Sequence, residues 1–276
     1  MQRSDEARSG AAWPRILSAV ALALLGAAAV YGGWPWFHAL AAAGAGVMAW
    51  EWSRICVGRF NSTGIVLVVS ILLIIIPAIF ARYDLALALT LLGAIAVLVL
   101  ASLAGVRSPA WFAAGAIYIG LPLVAILWLY GVTAAGRNTV VWLLVTVVAT
   151  DVGAYYSGRT IGGPRLAPRI SPGKTWSGLA GGMICAAAAG ALCADLVGGP
   201  SLWLAAAAGA TVAVVAQAGD LLESRVKRRF DIKDSSDIIP GHGGLLDRMD
   251  GLVAAVTIFG GLQWIIGARL LTWQPL

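Results

Sequence analysis

Apolar residues run along this chain in long blocks, neither alternating as in a half-buried strand nor forming the narrow stripe of a surface helix. A helix that crosses a bilayer needs about 20 mostly apolar residues. Nine blocks approach or exceed that length, at approximately 14–31, 35–50, 64–81, 85–105, 109–131, 140–157, 176–197, 202–222 and 252–271. The first two are short and joined by Gly32-Gly33-Trp34, as in a tight hairpin. Most connections are only a few residues long. Two are not, at about 158–175 and 223–248. The pattern predicts an all-α integral membrane protein with about nine transmembrane helices and two polar cytoplasmic loops. Residues 1–137 would form N-terminal scaffold helices, and residues 138–276 the C-terminal helices that carry the two long polar loops, the candidates for function.

Composition agrees with the pattern. Of 276 residues, 60% are hydrophobic and 12% charged, where a soluble domain has roughly a quarter charged. The net charge of +6 would admit a nucleic-acid partner, but the placement of the charges points elsewhere. Lys and Arg favour cytoplasmic loops. With the N-terminus inside, sixteen of the 19 basic residues fall on the inner side and only Arg82, Arg137 and Arg269 outside. That count gives an N-in, C-out chain, a lipid bilayer as partner and no nucleic acid. The first block could also be read as a secretory signal, with Arg residues before it and small residues near 27–29. Asp5 and Glu6 dilute its basic head, so it is taken as a span. Cys56, Cys185 and Cys193 have no metal-ligand spacing and are taken as packing residues.

The two polar loops hold ten of the 19 basic residues. In the first, Asp151 sits in the last turns of the sixth span. An ionisable residue there is costly and is a functional candidate by default, with an interfacial snorkelling role as the alternative. The fragment Pro172-Gly173-Lys174-Thr175 is not a nucleotide P-loop. Pro168 stands where that pattern needs Gly, and no strand is expected before it. Arg165, Arg169, Ser171 and Lys174 still suit phosphate oxygens. In the second, Asp220, Glu223, Ser224 and Lys227 follow i, i+3, i+4, i+7 spacing and share one helical face. Asp247 and Asp250 repeat the i, i+3 spacing at the start of the last span. These carboxylates are hard oxygen ligands, so Mg²⁺ fits them and Zn²⁺ does not. Asp220 and Asp247 are the first choices, with Asp250 and Asp151 in support. His242, between Gly241 and Gly243, is either a general base or a turn or phosphate contact.

The segment Ser224 to Asp250 resembles the signature of the phosphatidate cytidylyltransferases, or CDP-diacylglycerol synthases. It supplies Ser224, Lys227, Arg228, Lys233, Asp234, Ser236, Ile239, Pro240, His242, Gly243, Gly244, Asp247, Arg248 and Asp250 at the fixed positions. The stretches Ala218 to Ser224, Thr150 to Arg159 and Ile170 to Gly178 look like further family segments. One departure is Ser177, where the family usually has Glu. The resemblance implies a multi-pass protein of the inner (plasma) membrane with its active site facing the cytoplasm. It implies that the chain joins phosphatidate to CTP with Mg²⁺, giving CDP-diacylglycerol and pyrophosphate, and that it can form a homodimer.

On this reading Asp220, Ser224, Lys227, Asp247 and His242 are the catalytic candidates. Arg169, Ser171, Lys174, Arg228, Lys233 and Arg248 would bind substrate. Asp220, Asp247, Asp250 and Asp151 would hold the metal. The alternatives are a transporter or another membrane nucleotidyl- or phosphotransferase for an anionic lipid. A CDP-alcohol phosphotransferase would need a DGxxAR…GxxxDxxxD helix, and Asp250-Gly251 is followed by no such pattern. A transporter would be expected to show repeated halves, and its polar groups would not be concentrated in one half.

Overall fold

The computed structural model describes residues 17–18, 20–131, 136–240, 243–267, 271 and 273. It is an all-α architecture: α1 (Val20–Gly32), α2 (Trp36–Val57), α3 (Ser62–Leu72), α4 (Ile75–Ile79), α5 (Tyr83–Leu103), α6 (Pro109–Gly131), α7 (Gly136–Thr160), α8 (Trp176–Leu196), α9 (Leu202–Arg229) and α10 (Leu246–Ile266). Among the described residues, seven helical stretches are long and apolar enough to cross a membrane, α3 and α4 counting as one. The expected count of about nine is not reached among these residues. The described part of α1 is too short. The other stretch left out, α2, is rich in Ala, Gly and Trp and carries Glu51 and Arg54. The last span also begins earlier than its apolar block, because Leu246 to Gly251 are already helical.

Large apolar side chains face outward along the bundle, among them Leu91, Leu92, Ile95 and Val99 of α5. Such a surface would be a liability in water and is the normal outer face of a helix in lipid. The interior holds Trp52, Leu67, Phe112, Leu127, Trp142 and Leu143.

Without a hydrophobic driving force between helices in lipid, close packing of small residues takes over. On α8, Gly178, Gly182, Ala186, Gly190 and Ala194 recur every fourth residue and are all buried. A Cβ at Gly153 of α7 would lie 2.7 Å from Cys185 Cβ, and one at Gly182 would lie 3.0 Å from Thr150 O. The α7–α8 seam is therefore a backbone-to-backbone contact. From it α9 packs on α8, α10 on α9, and α6 on both α10 and α2.

The first polar loop is not wholly irregular. β1 (Arg165–Ala167) and β2 (Ser171–Thr175) pair antiparallel. Contrary to the sequence expectation, Lys174 sits on a strand with another before it. The strand pair is a hairpin ending at a membrane helix, so the P-loop reading still fails. Thr175 then caps α8, its Oγ1 accepting from Gly178 N at 3.1 Å. Ser177 fills the departure noted in the sequence with local bonds, to Thr175 Oγ1 at 3.0 Å and to Gly162 O.

Helix ends alternate so that both polar loops and the end of α2 gather at one pole. Tyr130 Oη donates to Val30 O at 2.8 Å at the other pole, where Arg137 lies over the Tyr31 ring. Arg82 also lies there, beside Asp84. Arg269 lies outside the described residues.

Candidate active site

The i, i+3, i+4, i+7 stripe on α9 is present as read. Ser224 Oγ donates to Asp220 Oδ1 at 3.3 Å. Lys227 Nζ stands 3.4 Å from Glu223 Oε1. The stripe meets the first loop directly: Lys174 Nζ is 2.5 Å from Asp220 Oδ2 and reaches Gln217 O at 3.5 Å. It meets α10 through Lys227, whose Nζ donates to Asp247 Oδ1 at 2.6 Å. Two ion pairs therefore bind three segments that are far apart in sequence.

α9 can lie this close to α10 because Gly219 faces it. A Cβ there would collide with Ala254 Cβ and lie 2.7 Å from Asp250 O. Asp220 is thereby brought within electrostatic reach of Asp250 and of Asp151 on α7. Asp151 is exposed, and it also faces Lys174 and Arg248. Asp250 Oδ1 accepts from Gly251 N at 2.7 Å.

Asp247 and Asp220 differ in how far their lone pairs are used. Asp247 is a joint. Its Oδ2 accepts from Ser235 N at 2.9 Å, Ser235 Oγ at 3.0 Å and Gly244 N at 2.8 Å, while Oδ1 takes Lys227. Its side chain is only 6% exposed, against 37% for Asp220. Asp220 is thus the more open carboxylate. The glycines of the signature serve this joint. Gly243 has φ +82°, and a Cβ on it would lie 2.8 Å from Asp247 Oδ2. Gly244 has no room for a Cβ either, which would run into Ser235 Oγ and Glu51 Oε1.

The remaining predicted residues are less engaged. Arg228 is exposed and its Nη1 donates to Ile232 O at 3.2 Å, bracing the turn after α9. Lys233 and Arg169 are exposed, Arg169 in the turn between β1 and β2, and Ser171 is half-buried at the start of β2. Arg248 is exposed on the first turn of α10. His242 lies outside the described residues.

Sequence reasoning missed two acids. Glu223 was seen in the stripe but given no role. Its side chain is wholly buried, and neither carboxylate oxygen has a hydrogen-bond partner among the described residues. Tyr118 Oη, also buried and unpaired, lies within reach of Glu223, Asp250 and Asp220. The second is Glu51 of α2, fully buried. Its Oε1 accepts from Ser236 Oγ at 2.5 Å and Leu245 N at 2.9 Å, and its Oε2 from Leu246 N at 2.7 Å. Its signal was legible, since an acid inside an apolar helix is a functional candidate by default.

Among the described residues no three His, Cys, Asp or Glu side chains converge into a ready-made metal cage. Mg²⁺ does not require one, since it is usually held by one or two carboxylates plus substrate phosphates and waters. An open Asp220 beside Asp250 and Asp151, over the buried carboxylate of Glu223, is a donor set that fits a hard cation.

Fold and site together define a class: a helical integral membrane protein whose polar centre, at one pole of the bundle, interleaves carboxylates with lysines. Residues 13–265 match the cytidylyltransferase family, and the chain belongs to it. Three relatives, each named phosphatidate cytidylyltransferase, illustrate the range. The Brucella suis protein is 49% identical over 148 residues, 54% of this chain and 55% of that protein. The Pseudomonas aeruginosa protein is 36% identical over 228 residues, 79% of this chain and 84% of that protein. The Mycobacterium leprae protein is 42% identical over 134 residues, 49% of this chain and 42% of that protein. The chain thus spans about half the length of the first of these relatives.

Proposed function

We propose that this chain transfers the cytidylyl group of CTP to phosphatidate, giving CDP-diacylglycerol and pyrophosphate, at the cytoplasmic face of the inner membrane. The observation that carries the reading is the meeting of the two basic loops at Asp220 and Asp247, through Lys174 and Lys227. The family match and the relatives' names supply the substrates. The charge count supplies the orientation. A homodimer remains part of this reading.

In the reaction a phosphate oxygen of phosphatidate attacks the α-phosphorus of CTP. A new P–O bond forms, the bond from the α-phosphorus to the bridging oxygen breaks, and pyrophosphate leaves with the electron pair. A phosphomonoester has its second pKa near 6, so the nucleophile is anionic at neutral pH without a strong base. The barrier lies in bringing polyanions together and in the charge that builds on the leaving group. Lys174 and Lys227, fixed by their carboxylate partners, present positive charge in place before substrate arrives. Arg248, Arg169, Arg228 and Lys233 line the approach with further phosphate donors. Ser224 holds Asp220 by its hydroxyl, and His242 would position phosphate or a water.

Asp220 would be the principal residue to hold Mg²⁺, with Asp250 and Asp151 beside it. Asp247, while it secures Lys227, would add its charge to the same centre. Bound there, Mg²⁺ would supply Lewis-acid charge to the phosphates. The lipid's acyl chains stay in the bilayer, which explains why the site opens at a pole of the bundle.

The test is pyrophosphate release by purified protein in mixed micelles. Release should require both CTP and phosphatidate and should stop when Mg²⁺ is chelated. Release that ignores phosphatidate would overturn the assignment.

A further inference from the structure

We propose that Glu51 is a positioning residue for the active site, acting from a helix outside the catalytic half of the chain. The proposal rests on the functional reading above and deepens it. α10 begins at the most demanding point of the site, because Asp247 stands on its first turn. Yet α10 has no side-chain cap at its own N-terminus. An uncapped helix start leaves amide donors without partners. Glu51 fills that place from α2. Its two oxygens take the Leu245 and Leu246 amides, and Oε1 also takes Ser236 Oγ. A negative group at a helix N-terminus is further favoured by the helix dipole.

The two adjacent serines share the work. Ser235 bonds Asp247, and Ser236 bonds Glu51. Gly244, between the two carboxylates, has no room for any side chain. The segments 235–236 and 244–247 are therefore pinned together, and Glu51 holds them from outside that stretch and its helix, as Lys227 holds Asp247 from α9. Removing it frees the start of α10, and with it the Asp247–Lys227 pair. Its neighbour Trp52 anchors the same stretch of α2, donating from Nε1 to Trp111 O at 3.2 Å. Glu51 is thus a fixed point against which the loop is set. It does not touch Lys174 or Asp220.

The experiment compares the full-length wild type with Glu51→Gln, Ser236→Ala, the double variant, and Thr90→Val. The last changes a buried hydroxyl elsewhere in the bundle, which donates to Ala86 O within its own helix. Two readouts are taken, steady-state kinetics and hydrogen–deuterium exchange of peptides covering 235–247. Misplacing a catalytic group by about 1 Å costs on the order of 10²-fold in rate. Glu51→Gln should therefore lower kcat by about that factor, with KM for CTP changed far less. Exchange of 235–247 should accelerate while that of α8 does not. Ser236→Ala should show the same pattern more weakly, and the double variant should be no worse than Glu51→Gln, because the two residues act as one contact. Thr90→Val should leave kcat unchanged.

Normal kcat in Glu51→Gln, strictly multiplicative losses in the double variant, or unaltered exchange of 235–247 would each overturn the proposal. If Glu51→Gln does not yield folded protein, Ser236→Ala carries both readouts. A wild type without CTP-dependent turnover would sink the functional reading, and the exchange measurement would still decide whether Glu51 holds the loop.

Discussion

Asp247 and Lys174 carry the sharpest expectations at the level of single residues. Asp247→Asn keeps the size and an acceptor for Gly244 but removes the charge that holds Lys227 at 2.6 Å. Loss of one preorganised electrostatic group typically costs about 10²–10³ in kcat, and a loss of that size is expected here. Size-exclusion chromatography should show the protein still folded. Turnover near wild type at limiting Mg²⁺ would remove Asp247 from the site. Lys174→Ala leaves Asp220 without its cation and should lower kcat/KM at least tenfold, a loss of about 1.4 kcal/mol in transition-state binding. Arg137→Ala, at the opposite pole over Tyr31, should change it little, and equal losses would reduce Lys174 to a topological charge. Much of this site was legible in advance. The α9 stripe follows from helical periodicity, and the signature spacing marks Asp247. An acid inside an apolar helix marked Glu51 as a candidate, but its role was not legible, because it depends on three donors some 185 to 195 residues away. Nothing local to α2 encodes them.

Among the elements, the α7–α8 seam is the most exacting. Gly153→Ala places a methyl 2.7 Å from Cys185 Cβ and from Gly181 O, and overpacking of this kind costs about 1–3 kcal/mol. Gly261→Ala, also within a helix, meets nothing within 4 Å. It should be neutral or stabilising by up to about 1 kcal/mol. Thermal unfolding in one detergent should therefore place Gly153→Ala below wild type and Gly261→Ala at or above it. The reverse order would show that the seam is looser than described. Apolar blocks located nearly every helix, but not the β1–β2 hairpin, whose Gly and Pro residues hid two short strands. They also started the last span at 252, although the i, i+3 spacing of Asp247 and Asp250 already placed both on its opening turn. What the local pattern does not display is that Glu51 accepts from the first amides of this turn.

For the whole molecule, the claim is that both loops share one compartment at one pole. Single cysteines at Lys233 and Gly163, both exposed, should resist an impermeant thiol reagent in intact cells and react in inverted membranes, once the three native cysteines are replaced. A cysteine at Arg82, at the far pole, should behave oppositely. Labelling of Lys233 and Gly163 from different sides would break the shared site. The most direct test of the account follows the phosphorus itself. Purified protein is given phosphatidate and CTP labelled at either the α- or the γ-phosphate. If the chain transfers a cytidylyl group, α-label moves into the organic phase as CDP-diacylglycerol and γ-label stays in water as pyrophosphate. Label from the γ-phosphate in the lipid, or none from the α-phosphate, would contradict it.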